Sequence, residues 1–190
     1  MKRQIRSSVF ETNSSSTHSI AIPNICGISN YMSFHTDDFG WEFRQVDAAD
    51  YFYTAIYETS ETEVEATEKI ELLKNILHKN GIDYYFSRPK THTSTYENED
   101  YFYLDDGYID HGFELKDFVD ELLNNETKLL RFLSGGLVFT GNDNSDGHGF
   151  ISRDEEFLED YDWRTKTTTR EKNKYYMKNH EDYEWYYKGN

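Results

Sequence analysis

The chain predicts an α+β fold, a mostly antiparallel sheet with amphipathic helices packed on it. Three observations carry the expectation. Apolar residues recur at helical spacing around 60–80 and 115–133, and short aromatic or β-branched runs are punctuated by Gly, Asn and Asp. No internal repeat is present. The expected organisation is an acidic α+β domain over 1–163, with a basic, aromatic segment over 164–190 packed on the same domain.

Taken in order, Ile5 to Phe10 alternates weakly and reads as a strand, as does Ile20 to Ile22 after a polar run. Asp47 is placed to cap a helix over 48–58, with Ala48, Phe52, Ala55 and Ile56 on one face. Ser60-x-x-Glu63 has capping-box spacing and opens a helix running to about Asn80, with Ile70, Leu73, Ile76 and Leu77 as its core face and Gly81 as its stop. The polar stretch from Ser87 to Asp100 reads as a loop. Tyr101 to Leu104 and Tyr108-Ile109 flank Asp105-Asp106-Gly107, which predicts a hairpin. Leu115, Phe118, Val119, Leu122 and Leu123 repeat at i, i+3, i+4, i+7, i+8 and predict a further helix. Leu129, Leu130 and Leu133 add another turn or two before Gly135-Gly136, and Leu137 to Phe139 reads as a strand.

Composition narrows the function classes. Of 190 residues, 36% are hydrophobic and 17% aromatic, so large rings must supply much of the core. The formal charge is −16, from 36 acidic and 20 basic residues, opposite in sign to a generic binder of phosphate backbones. The charge is uneven: 164–190 holds 7 basic and 4 acidic residues, whereas 1–163 holds 13 basic and 32 acidic, a balance of −19. One cysteine, Cys26, excludes an intramolecular disulfide framework and a Cys-only zinc site. No apolar run reaches membrane-spanning length, and no apolar signal core follows the first residues, so the expected location is the cytoplasm.

Five places can carry chemistry. In Phe10-Glu11-Thr12-Asn13-Ser14-Ser15-Ser16-Thr17-His18-Ser19, seven of ten residues are Ser, Thr or Asn, the donors and acceptors that hold an anion or a nucleotide phosphate. Ser14 or Ser16 near His18 is also a nucleophile–base candidate; the plainer reading is a solvated Ser-rich turn. No Gly-rich loop with Lys accompanies the run, which excludes a Walker-type phosphate loop. Gly141 to His148 places metal-capable Asp143, Asp146 and His148 beyond a strand end; Asn142, Asn144 and Asp146 mimic the start of a calcium loop, but Arg153 at its twelfth position rejects an EF-hand. Asp110-His111 can supply a metal ligand or a carboxylate that orients His, though adjacent residues within a strand point to opposite faces. Phe39-Gly40-Trp41-Glu42 offers an aromatic platform and a carboxylate, or simply a core Trp beside a turn. Tyr51, Tyr53 and Tyr57 on the next helix are equally packing or binding groups. The acid itself is the fifth: Asp47, Asp50, Glu58, Glu61, Glu63, Glu65, Glu68 and Glu71, then Glu97 to Asp106, then Asp154, Glu155 and Glu156 on to Asp162. Interleaved Tyr and Phe give that charge apolar anchor points.

Residues 6–19, Arg6-Ser7-Ser8-Val9-Phe10-Glu11-Thr12-Asn13-Ser14-Ser15-Ser16-Thr17-His18-Ser19, resemble the opening of a family of small bacteriophage and low-GC Gram-positive proteins. Phe39 to Glu42, Tyr108 to His111 and Thr140 to Asn144 resemble its later blocks. The family carries no established activity. The resemblance implies a phage or mobile-element gene acting in bacterial cytoplasm, and a shared pocket built from 11–19, 41–42, 110–111 and 141–144.

Two functions follow as expectations. The first is an acidic phage-type interaction protein, resembling anti-CRISPR proteins and other nucleic-acid mimics in its charge. It would inhibit a host or defence protein by occupying a basic nucleic-acid-binding surface, through Glu61, Glu65, Glu68, Asp154, Glu155 and Glu156. It requires no cofactor, no membrane and no direct nucleic-acid contact by the acidic body. The second is a ligand-binding or hydrolytic enzyme: Glu11, Asn13, Ser14, Ser15, Trp41, Glu42, Asn142 and Asn144 would hold a ligand, and His18, Ser16 and Asp110 would act on it. A divalent metal on His111 and Asp143 could activate water.

Overall fold

The computed structural model describes residues 16–40, 44–97, 99–142, 156–173 and 176–188, and the fold is α+β with mostly antiparallel pairing. A four-stranded antiparallel sheet has the order β12-β1-β9-β4, made of β1 (Ser16–Pro23), β4 (Arg44–Val46), β9 (Leu137–Asn142) and β12 (Tyr183–Lys188). Strands of two to six residues form four further pairs. β2 (Tyr31–Phe34) lies parallel to β5 (Asp83–Phe86), and β3 (Asp38–Phe39) parallel to β8 (Tyr108–Ile109). β6 (Thr91–Tyr96) and β7 (Glu99–Leu104) form one antiparallel hairpin, and β10 (Phe157–Asp162) and β11 (Thr167–Lys172) another. The α-helices among the described residues are α1 (Ala48–Glu58), α2 (Glu63–Lys79), α3 (Lys116–Asn124) and α4 (Glu126–Gly135).

Helix α1 organises the core. Asp47 caps it by accepting from the N–H groups of Ala49 and Asp50, at 2.8 and 3.1 Å. Nine of its eleven residues are buried, including Tyr51, Phe52, Tyr53 and Glu58, so one-sided amphipathicity understates it. Ile20, Val138 and Val46 form one buried row across the main sheet and join the same apolar cluster as α1. Phe52 meets Phe132 of α4 edge-on at 6.0 Å, and Phe132 meets Phe118 of α3 at 5.5 Å. On another side, Tyr53 contacts Phe34 and Phe86, which stack on each other at 4.4 Å.

Three local expectations are corrected. Helix α2 starts at Glu63 with Thr62 as its cap, because Ser60 is taken up in closing α1, its hydroxyl donating to the Ile56 carbonyl at 2.7 Å. Thr62 Oγ1 accepts from Glu65 N–H, and Glu65 reaches back to Glu61 N–H at 2.8 Å, so the box is displaced by two residues. The segment 87–100 is not wholly loop, since Thr91–Tyr96 pairs with Glu99–Leu104. Its Thr-rich sequence suits a strand, and polarity on both faces reflects exposure rather than irregular structure. No hairpin spans Asp105-Asp106-Gly107: Tyr108-Ile109 crosses instead to Asp38-Phe39 in parallel. The strand expected over Ile5 to Phe10 lies outside the described residues.

Candidate functional site

The register of the main sheet brings three separated sequence blocks to one end. His18 on β1 stands opposite Thr140 on β9, and Thr140 opposite Arg44 on β4. Residues paired across antiparallel strands share a face, so this row lies on the side of Ile20, Val138 and Val46. His18 and Thr140 are buried there, and His18 Nδ1 lies 2.6 Å from the Tyr51 hydroxyl. Tyr51 also meets Phe39 edge-on at 5.3 Å. Phe39 pairs with Ile109, and its carbonyl accepts from Asp110 N–H at 3.2 Å. Arg44 closes the outer side, its guanidinium 5.8 Å from the Phe39 ring and 2.7 Å from the Asp38 carbonyl.

Tyr51 thus links His18 to Phe39, while Thr140 stands beside His18 in register and Asp110 N–H binds the Phe39 carbonyl. Burial pushes the Tyr51 phenol well above its ordinary range, so it meets the imidazole as a neutral hydroxyl. Tyr108 Oη donates to the Asp110 carboxylate, and Asp110 is itself buried. Strand β8 ends at Ile109, and His111 takes a left-handed conformation with φ 54°, so Asp110 and His111 sit in a turn rather than on a strand. His111 Nδ1 faces Glu114 at 3.8 Å, while Gly112 lies so close to buried Glu58 that a Cβ there would come within 2.9 Å of the Glu58 Cβ. Among the described residues, no group of three or more His, Cys, Asp or Glu is placed to hold a metal.

Glu11, Asn13, Ser14, Ser15, Trp41, Glu42, Asp143, Asn144, Asp154 and Glu155 lie outside the described residues. Ser16 opens β1 and pairs in register with Asn142 on β9, at the same end of the sheet as His18.

The acidic surface divides into two kinds. Around α2 much of the charge is countered internally: Glu65 bridges Lys69 at 2.9 Å and Lys116 at 3.2 Å, and Glu71 meets Lys74 at 2.8 Å. Burial opposes ionisation of Glu65, but the Glu61 N–H and the two lysines outweigh it and bring its carboxyl down to about 2. Glu61, Glu68 and Glu156 are exposed. Asp47 is a helix cap, Asp50 accepts from His35 N–H at 2.7 Å, and Glu58 is buried, which removes these three from an acidic binding surface.

The β6–β7 hairpin is different. Phe102 turns inward toward Tyr57, at 6.4 Å, while the register places His92, Ser94 and Tyr96 with Tyr103, Tyr101 and Glu99 on the opposite face. His92 stacks on Tyr103 at 5.1 Å and contacts Asp105 at 2.6 Å, and Tyr101 donates to Glu99 at 3.2 Å. Glu97 at the turn and Glu99 on this face are exposed, and among the described residues no Lys or Arg lies within ion-pair distance of them, whereas Asp100 falls on the Phe102 side and accepts from Thr95 Oγ1 at 2.6 Å. Tyr96 is 56% exposed. Sequence reading marked the acid here, but without the strand pairing it could not place the tyrosines beside it.

No family model matches the chain, and neither a curated protein nor a solved structure shows significant similarity to it. Among the described residues, no helix is long and apolar enough to cross a membrane.

Proposed function

We propose that the chain is an acidic interaction protein whose binding face is the outer side of the β6–β7 hairpin, with a partner that presents a basic surface. The observation that carries this is the pair of uncountered carboxylates Glu97 and Glu99 beside Tyr96 and Tyr101. Tyrosine supplies large contact area at low entropic cost, and surrounding carboxylates steer a basic partner into register. A host or defence protein with a nucleic-acid-binding surface fits that chemistry, and inhibition would follow from occupying the surface. The phage provenance implied by the resemblance supports the same reading.

The test is a pull-down from bacterial lysate at low and moderate salt, comparing the wild type with Glu97→Lys/Glu99→Lys and with Glu68→Lys on α2. Expected is a stoichiometric basic protein, released by salt, lost with the hairpin variant and retained with Glu68→Lys. A partner that the hairpin variant retains in full, or no capture even at low salt, refutes the proposal.

A second reading is favoured by His18 and Thr140 lying together at one end of the main sheet, with Tyr51 linking His18 to Phe39. Under it this end binds a small anionic ligand or a metal-assisted substrate, with His18 as the base. Titrating the protein with inorganic phosphate, a nucleotide and a divalent metal while following the His18 ring resonances by NMR decides it. No movement with any of the three ends that reading.

A further inference from the structure

Among the described residues, the strands of the β10–β11 hairpin pair only with each other, in a two-stranded sheet closed at the base by Asn173 N–H donating to the Glu156 carbonyl at 2.9 Å. A lone two-stranded hairpin is marginal in water, and this one leaves large rings uncovered: Tyr161 is 60% exposed and Trp163 72%. Residues 156–173 hold five acids and four bases, but the register sorts them. Phe157 pairs with Lys172, Glu159 with Arg170 and Tyr161 with Thr168, so these six share one face. Arg170 lies 4.2 Å from the centre of the Phe157 ring, and at the turn Arg164 lies 5.2 Å from that of Trp163. The result is an arm of aromatic rings flanked by cations, with Glu159 as the single acid on that face, 3.8 Å from Arg170, and Lys172 and the turn's Arg164 beyond it.

Its complement is on the same molecule. The outer face of β6–β7 sets tyrosines among uncountered carboxylates, whereas the arm sets rings among guanidinium and ammonium groups. We infer that the arm of one copy docks on the β6–β7 face of a second copy, head to tail. The inference uses the face named in the proposed function but not the existence of a foreign partner. In a cell the two would compete, so self-association would mask the face until a basic partner displaced the arm. The net −16 repels a nucleic acid and a second copy alike at long range, so it is the local match of arm to face that selects the second copy. Each strand has six residues and spans roughly 20 Å, so the contact is smaller than a standard interface and its association weak.

Sedimentation velocity of the full chain over a wide concentration range, at about 0.1 M and about 1 M salt, tests this, since the screening length falls from about 10 Å to about 3 Å. The expected result is reversible association at low salt that high salt abolishes. Arg170→Glu/Lys172→Glu and Glu97→Lys/Glu99→Lys should each weaken it about tenfold or more. An equimolar mixture of the two variants should associate again, because the reversed arm of one then matches the reversed face of the other. A chain monomeric at every concentration, association untouched by either variant, or a mixture that stays apart overturns the inference. A monomeric chain that still captures its partner through the hairpin leaves the proposed function standing; association without any captured partner does the opposite.

Discussion

Replacing Lys128 by Met tests how the C-terminal strand is fastened to the core. Lys128 rises from α4 with its side chain only 7% exposed, and its ammonium sits 2.5 Å from Glu121 on α3 and 2.6 Å from Glu184 on β12. It also donates to the Tyr186 hydroxyl. Burial opposes the charge on Lys128, but the two carboxylates outweigh it and raise its pKa above the ordinary value. Burial pushes Tyr186 up to about 12, so it stays neutral at physiological pH. Removing one partner of a buried ion pair costs about 3–5 kcal/mol because a charge is left stranded. Here Glu121 and Glu184 are 47% and 46% exposed and regain water, and Met fills most of the lysine stem, so the expected loss is about 2 kcal/mol. In a chain of this length that lowers Tm by about 4–8 °C. Urea unfolding gives the global term, and amide exchange across Tyr183–Lys188 gives the local one. Adding Glu184→Gln to Lys128→Met should recover part of the loss, because one stranded carboxylate is then removed. Lys128→Met within about 0.5 kcal/mol of wild type, with exchange on β12 unchanged, would refute the reasoning.

Three further outcomes follow from particular contacts. Tyr51→Phe removes the hydroxyl from buried His18 and should cost about 1–3 kcal/mol in urea unfolding while shifting the His18 ring resonances. A Cβ on Gly136 would sit 2.4 Å from the Phe132 carbonyl oxygen, so Gly136→Ala should lose about 3 kcal/mol or more, whereas Gly27→Ala, with open space around it, should stay within about 0.5. The Glu65 carboxyl is depressed in the folded chain, so its contribution is fully present above its ordinary pKa of 4.5 and is lost as pH falls toward about 2. Glu65→Gln should therefore flatten that part of the stability–pH curve measured by urea titration.

Local chemistry made several elements legible. Asp47 before an apolar helix, the leucines of α3 and α4 at helical spacing, and Leu137 to Phe139 each specify their element through neighbours a few residues away, and the structure places them accordingly. The strands β4, β10, β11 and β12 had no such signature. β12 is held by pairing with β1 and by Lys128 from a helix more than fifty residues earlier in the chain. Ser60 and Thr62 are both competent caps, and only the carbonyl offered by Ile56 at the end of α1 decided between them.

The candidate site divides the same way. His18, Phe39, Asp110 and Thr140 were visible as polar or turn-adjacent blocks because their composition departs from the apolar helix faces. The pairing of His18 with Thr140 depends on strand register, and the link from His18 to Phe39 on Tyr51, neither of which any single block encodes. The −19 of residues 1–163 was fixed by composition alone, since charge adds without regard to geometry. Which carboxylates are countered, which are buried and which stand open beside tyrosines was decided by the tertiary structure, because an ion pair or an exposed face is set by distances between groups that the chain holds far apart in order.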